Sequence, residues 1–107
     1  MILELSENAQ QDILDFIKKT LIQTDAKLTK YISDLFDYIN MLTIFNHLGK
    51  TLFYIKNIEI RQLLFRKHRI IYCLEPNRII ILSVIHTHRD IHKSIKFLKN
   101  NLNSFKN

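Results

Sequence analysis

The spacing of apolar residues predicts a short strand and two helices in the first half of the chain. After an apolar run at Ile2–Leu5, apolar side chains recur every three or four residues over Ala9–Leu21 and again over Leu28–Leu42. This period places them on one face of an α-helix. Ser6 suits an N-cap, because its hydroxyl can accept a hydrogen bond from a free N–H of the first turn. The connection between the helices is short, which predicts an antiparallel hairpin.

The second half of the chain has the pattern of β-strands. Apolar, β-branched runs at Ile58–Phe65, His68–Leu74 and Arg78–Ile85 are separated by Arg66-Lys67 and by Pro76-Asn77. Proline and asparagine suit the centre of a β-turn, so consecutive runs are predicted to pair as hairpins. The last run is apolar at almost every position, which favours an internal strand covered on both faces.

Three further segments complete the pattern. Thr51–Asn57 fits either a short strand or a packed loop. Gly49, the single glycine of the chain, is predicted to adopt a positive φ after the second helix. Helical spacing returns over Ile91–Leu102, with lysines on the other faces. This basic tail fits either a helix folded over the sheet or an additional contact surface.

Together these elements predict an α+β fold in the order β-α-α-β-β-β. The sheet is expected to be mainly antiparallel and packed by the N-terminal helical hairpin. A chain of 107 residues is expected to form one domain, residues 1–107, of which residues 91–107 are the basic helical tail.

Composition narrows the classes of function. The formal net charge of +6 favours anionic partners. One Gly and one Pro leave no room for a phosphate-binding Gly-rich loop, so we expect no cofactor. The lone Cys73 lies in an apolar run and is predicted to be a buried structural thiol. No apolar run approaches the roughly 18–20 residues that span a bilayer, and the first residues lack the pattern of a signal peptide. We therefore expect a cytoplasmic location and no membrane partner.

The side chains that could carry chemistry lie mostly between residues 61 and 90. RNA cleavage needs a base, an acid and cations that hold phosphate, and His, Tyr and Arg can supply all three. The alternative is a basic surface without catalysis, which composition alone favours. Candidate catalytic residues for a nuclease are Arg61, Arg69, Tyr72, His86 and Arg89.

A second candidate set would contact a target, and it lies at one turn and at the end of the last strand. Two histidines on one face could also ligate a metal, but no Cys or Glu stands nearby to complete a site, so no metal is expected. The candidate target-binding residues are Arg66, Lys67, His68, His88 and Arg89.

The ordered motifs resemble the RelE/ParE superfamily of bacterial toxins from type II toxin–antitoxin systems, over residues 2–91. The opening LSENAQQDILDFI is similar to the family's strand and Ser-capped helix. The segment RQLLFRKHRIIYCLEPNRIIILSVIHTHRD resembles its Arg-led strand, its Arg-Ile-Ile-Tyr strand and its final His-x-x-Arg-Asp motif. That ending, with His86, Arg89 and Asp90, looks closer to the ParE branch, and no Tyr follows it.

The resemblance implies a function but leaves alternatives open. ParE-type members poison DNA gyrase, whereas RelE-type members cleave mRNA on the ribosome with basic residues and a Tyr or His. A third alternative is an inactive remnant that only binds an antitoxin. The implied partners are a cognate acidic antitoxin and, as the target, DNA gyrase or the ribosome with mRNA.

Overall fold

The computed structural model describes residues 1–20 and 25–105. Strand β1 (Ile2–Leu5) is followed by helix α1 (Glu7–Thr20) and helix α2 (Asp25–Asn40). The Oγ of Ser6 accepts a hydrogen bond from the Ala9 N–H at 3.1 Å, which confirms the predicted N-cap. Helix α2 ends in a short 3-10 turn, Met41–Thr43.

Four further strands and a third helix follow. They are β2 (Lys50–Ile55), β3 (Ile58–Phe65), β4 (His68–Leu74), β5 (Arg78–His86) and α3 (Ile91–Phe105). The ambiguous segment after Gly49 is therefore a strand, so one more strand follows the helices than the predicted order contained. Lys56 and Asn57 both have positive φ, which matches the twist that a two-residue hairpin loop needs between β2 and β3.

Within the described residues the strands form one sheet in the order β1-β5-β4-β3-β2. β1 pairs parallel with β5, and the other pairs are antiparallel. The α+β fold with a mainly antiparallel sheet is thus confirmed. β5 lies inside the sheet, as its continuous apolar sequence predicted.

Each face of the sheet carries its own apolar core. Ala9 and Ile13 of α1 and Leu35 and Ile39 of α2 pack on one face. Leu98 of α3 packs on the other face, against residues such as Ile60, Ile71, Cys73 and Ile80. The basic tail therefore covers the sheet. Cys73 is fully buried, as predicted.

A bulge in β5 is held by polar side chains of the first helical segment. Ile71 and Tyr72 of β4 pair with Ser83 and Ile81, so Leu82 is the extra residue. Its carbonyl accepts hydrogen bonds from the Ser6 hydroxyl at 3.1 Å and from the side-chain amide of Asn8 at 2.9 Å. A bulge removes ladder partners from one strand, and these side chains replace them.

The prediction of a positive φ at Gly49 is wrong, since no glycine of the described residues has one. The reason for glycine is steric. A Cβ at Gly49 would lie 2.3 Å from the carbonyl oxygen of Gln62 and 3.0 Å from the ring of Tyr72. Close approach of two backbone segments is the other general use of glycine.

Candidate functional site

A row of aromatic and imidazole rings crosses one end of the sheet. The ring of His68, at the start of β4, lies edge-on to Phe16 of α1, with centroids 4.5 Å apart. His68 pairs across the ladder with His86, and their ring centroids are 5.8 Å apart. His86 in turn stacks on His88 at 4.9 Å. This ring row (Phe16, His68, His86 and His88) runs from the interior to the exposed His88.

His68 is the buried member of this row, with 3% of its surface exposed. Its Nδ1 lies 2.6 Å from the hydroxyl oxygen of Tyr31 on α2. Burial, with the nearby charges of His86 and Lys67, lowers the pKa of His68 to about 4. The imidazole is therefore neutral at pH 7. The backbone of Lys67 also hydrogen-bonds the phenol, and the imidazole tautomer sets which of the Tyr31 hydroxyl and Nδ1 donates in the bond between them.

The turn between β3 and β4 presents two cations beside this row. Arg66 has a positive φ of 49° and its Nη2 donates to Asp34 Oδ2 at 3.1 Å. Lys67 is exposed. Its carbonyl accepts the Thr87 N–H at 2.8 Å, which ties this turn to the segment that contains His88.

A second polar network is buried beneath the loop that precedes β2. The Tyr72 hydroxyl donates to the carbonyl of Asn46 at 3.0 Å and accepts the Gly49 N–H at 3.1 Å. Arg61, opposite Tyr72 in the ladder, donates to the carbonyls of His47 and Gly49. Both side chains therefore hold this loop in place through hydrogen bonds to its backbone.

Arg69 and Arg89 lie apart from that network. Arg69 follows His68 on β4 and points to the other face of the sheet, where its Nη1 donates to Gln62 Oε1 at 2.7 Å. Arg89 lines a cavity of about 260 Å³ between α1, β5 and α3, together with Asp12 and Lys93.

The structure does not bring the five nuclease candidates to one point. Arg61 and Tyr72 are buried at the loop, while Arg69 lies on the opposite face. His86 belongs to the ring row, and Arg89 lines the separate cavity.

Of the target-binding candidates, four are exposed. His68 is buried and contacts Tyr31, so it is not available at the surface. Among the described residues, no group of three or more His, Cys, Asp or Glu could hold a metal ion.

Sequence reasoning missed the polar roles of Asp12 and Tyr31, because both residues stand in helical segments whose apolar spacing predicts core packing. Asp12 Oδ2 accepts hydrogen bonds from the Val84 N–H at 2.9 Å and from the Ser83 hydroxyl at 2.8 Å. Burial raises the pKa of Asp12, against the opposing effects of those two hydrogen bonds and of the Arg89 charge. A carboxylate among the apolar positions of a helix was the available signal.

The comparisons with known proteins agree with this architecture. The family model described as "ParE toxin of type II toxin-antitoxin system, parDE" matches residues 3–91. The chain therefore belongs to the ParE toxin family, within the RelE/ParE superfamily. The match ends where α3 begins.

A solved structure titled "Chromosomal ParDE TA system from P. aeruginosa" has a similar fold. The TM-score is 0.63 at 15% sequence identity, over 80% of this chain and 95% of that chain. A search of curated proteins gave no match. Within the described residues, no helix is both long enough and apolar enough to cross a membrane.

Proposed function

We propose that this ParE-family protein arrests growth by inhibiting DNA gyrase and that a cognate acidic antitoxin neutralises it. The observation that carries the choice of gyrase over mRNA is the separation of the candidate catalytic groups. General acid–base cleavage needs the acid, the base and the phosphate-holding cations within about 3 Å of the reacting atoms. Arg61, Tyr72 and Arg69 do not share a site with His86 or Arg89.

Charge supports the antitoxin half of the proposal. The chain carries a formal net charge of +6, and Arg66, Lys67 and Arg89 are exposed. An acidic, partly disordered segment that wraps such a surface would bind with strong salt dependence. Inspection of the neighbouring gene tests this directly. If no small acidic protein is encoded beside the toxin, and a pull-down from the native host recovers none, the pairing is wrong.

Two parallel assays decide the target. Purified protein is added to gyrase, and both supercoiling and trapped cleavage complexes are measured. The same preparation is added to translating ribosomes, and mRNA ends are mapped. We expect inhibited supercoiling and intact mRNA. Codon-phased cuts in the ribosomal A site, with unaffected gyrase, would establish the RelE-like alternative. If folded protein does not arrest growth, the remaining alternative is an inactive remnant that only binds an antitoxin.

Substitutions at the end of β5 separate the same alternatives in cells. We expect His86→Gln to leave toxicity near wild type, because His86 packs in the ring row and gyrase inhibition assigns it no acid–base role. Charge reversal in Arg89→Glu should weaken toxicity, because Arg89 is exposed and basic. A nuclease would instead lose roughly 10²–10⁴-fold in cleavage when its acid or base is removed. Circular dichroism of both variants controls for folding, and full toxicity of folded Arg89→Glu would contradict a role for this cation.

A further inference from the structure

A groove beside the β3–β4 turn is lined by three cations. Lys27 and Lys30 of α2 line it together with Arg66 of the turn, and Ala26 and Tyr31 are the other described residues of the lining. The groove is open and has a volume of about 360 Å³. We call these five residues the basic groove.

Arg66 is held in place within the basic groove. Its guanidinium carbon lies 4.8 Å from the ring centroid of Phe65 and 5.7 Å from that of Tyr31. Its Nη2 donates to Asp34 Oδ2 at 3.1 Å. A side chain fixed by ring stacking and an ion pair loses little conformational freedom when a ligand binds. The cation is therefore oriented before any partner arrives.

The local charge remains positive after the ion pairs are counted. Asp34 also pairs with Lys30 at 3.4 Å, so among the described side chains one carboxylate pairs with two of the three cations of the groove. Lys67 follows Arg66 in the same turn and is exposed. The hydrogen bond from Thr87 to the Lys67 carbonyl brings the exposed His88 segment to the same end of the molecule. The positive surface thus continues beyond the groove.

The lining favours a nucleic acid over a protein as the occupant. Protein partners anchor on apolar and aromatic side chains in desolvated pockets, but among the described residues that line the groove only Ala26 and Tyr31 are apolar or aromatic. The highly exposed Ile44, with 75% of its surface accessible, follows the other end of α2, roughly 20 Å away at 1.5 Å per residue. Repeated phosphates need cations and no apolar anchor.

A duplex fits better than a single strand. Unpaired bases bind by stacking on free aromatic rings. The ring of Tyr31 is already in contact with Phe16, Phe65 and His68, at centroid distances of 5.4, 5.4 and 5.5 Å. Among the described residues, the groove therefore offers cations for a backbone and no free ring for a base.

From this geometry we infer that the basic groove binds the phosphate backbone of double-stranded DNA, without sequence preference. The inference rests on the proposed function, because it makes the toxin contact the DNA on which gyrase acts. Non-specific binding of this kind has dissociation constants of roughly 10⁻⁴–10⁻⁶ M at physiological salt.

Fluorescence anisotropy with a short labelled DNA duplex of arbitrary sequence tests the inference over a salt series. The slope of log K against log salt reports the number of phosphates neutralised, about 0.9 per contact. The double variant Lys27→Gln/Lys30→Gln should reduce the magnitude of this slope by about 2. Lys96→Gln/Lys99→Gln, on α3 at the other face of the sheet, removes the same charge and should leave the slope unchanged.

The variant Asp34→Asn should change DNA affinity in the opposite direction from the lysine variants of the groove. It removes the carboxylate that pairs with Lys30 and Arg66 while keeping a side chain of the same shape, so DNA binding should tighten. Absence of duplex binding by the wild type would overturn the inference. An equal loss in both lysine doubles would also overturn it, because net charge and not the groove would then control binding. Tighter binding to single-stranded RNA than to the duplex would do the same.

The gyrase assay separates this inference from the proposed function. Trapped cleavage complexes should require a higher toxin concentration with Lys27→Gln/Lys30→Gln than with the α3 control. If the groove variant loses DNA binding but traps complexes as wild type does, the groove has no part in poisoning, and gyrase inhibition itself stands. If the wild type neither inhibits nor traps gyrase, the proposed function fails regardless of DNA binding.

Discussion

The buried imidazole of His68 makes the stability of this protein depend on pH in a predictable direction. In the folded protein the pKa of His68 is about 4, because of burial and the charges of His86 and Lys67. An unfolded chain restores the ordinary value near 6.5. Between these two values the unfolded state binds a proton that the folded state does not, so stability falls as the pH is lowered. Above about pH 6.5 the contribution does not change.

The size of the effect follows from the two pKa values. One unit corresponds to 1.36 kcal/mol, so the full shift is worth about 3 kcal/mol, and about 2.5 kcal/mol is lost by about pH 4.5. Protonation would place a proton on both ring nitrogens, so Nδ1 could no longer accept a hydrogen bond from Tyr31. A loss of this size is a large fraction of the about 5–15 kcal/mol that stabilises a typical domain.

Urea unfolding at a series of pH values measures this dependence, with His68→Asn as the matched variant. The asparagine side-chain amide can donate to or accept from the Tyr31 hydroxyl, but it does not titrate. The variant should lose stability from the missing ring at every pH, with a flatter dependence between about pH 6.5 and 4.5. Because other groups, including Asp12, titrate in both proteins, the difference between the two curves isolates His68. A ring proton of His68 that titrates near 6.5 by NMR, or parallel curves, would refute this account.

Three further substitutions test the buried contacts. Tyr72→Phe leaves the Gly49 N–H without its acceptor and should cost about 1–3 kcal/mol of unfolding free energy. Gly49→Ala places a Cβ 2.3 Å from a backbone oxygen of β3 and should cost about 1–3 kcal/mol or more, and unchanged stability would contradict the steric role. Asp12→Ala removes the acceptor of the Val84 N–H and should cost about 1–3 kcal/mol, whereas Asp15→Ala, at an exposed site on the same helix, should be near neutral. Urea unfolding measures each value.

Local periodicity determined most of the elements. The bounds of β3 and β4 follow directly from the apolar runs at Ile58–Phe65 and His68–Leu74, and the helices follow from the three- and four-residue spacing. These signals depend on which face of an element must be buried. The spacing of apolar residues along the chain shows that face directly. The same residues, in their order, carried the family resemblance that the comparison over residues 3–91 confirmed.

Tertiary structure decided where the polar side chains lie. Arg61 and Tyr72 are catalytic candidates by residue type. Because the Gly49 loop approaches β3 closely, both side chains are buried and hydrogen-bond the backbone of that loop. His68 looks like part of an exposed cationic turn, but Phe16 and Tyr31 from the two helices enclose it. The sequence carries no local mark of such contacts.

The chain by itself therefore determined the strands, the helices and the family, because these depend on local spacing and on the order of motifs. It did not determine β2, whose pairing with β3 depends on the paired positive φ values at Lys56 and Asn57. Nor did it determine that α3 covers the second face, which requires the sheet to exist before Leu98 has a surface to bury against. Burial and hydrogen-bond partners are set by residues distant in sequence, so only the folded chain shows which charges are free to meet a partner.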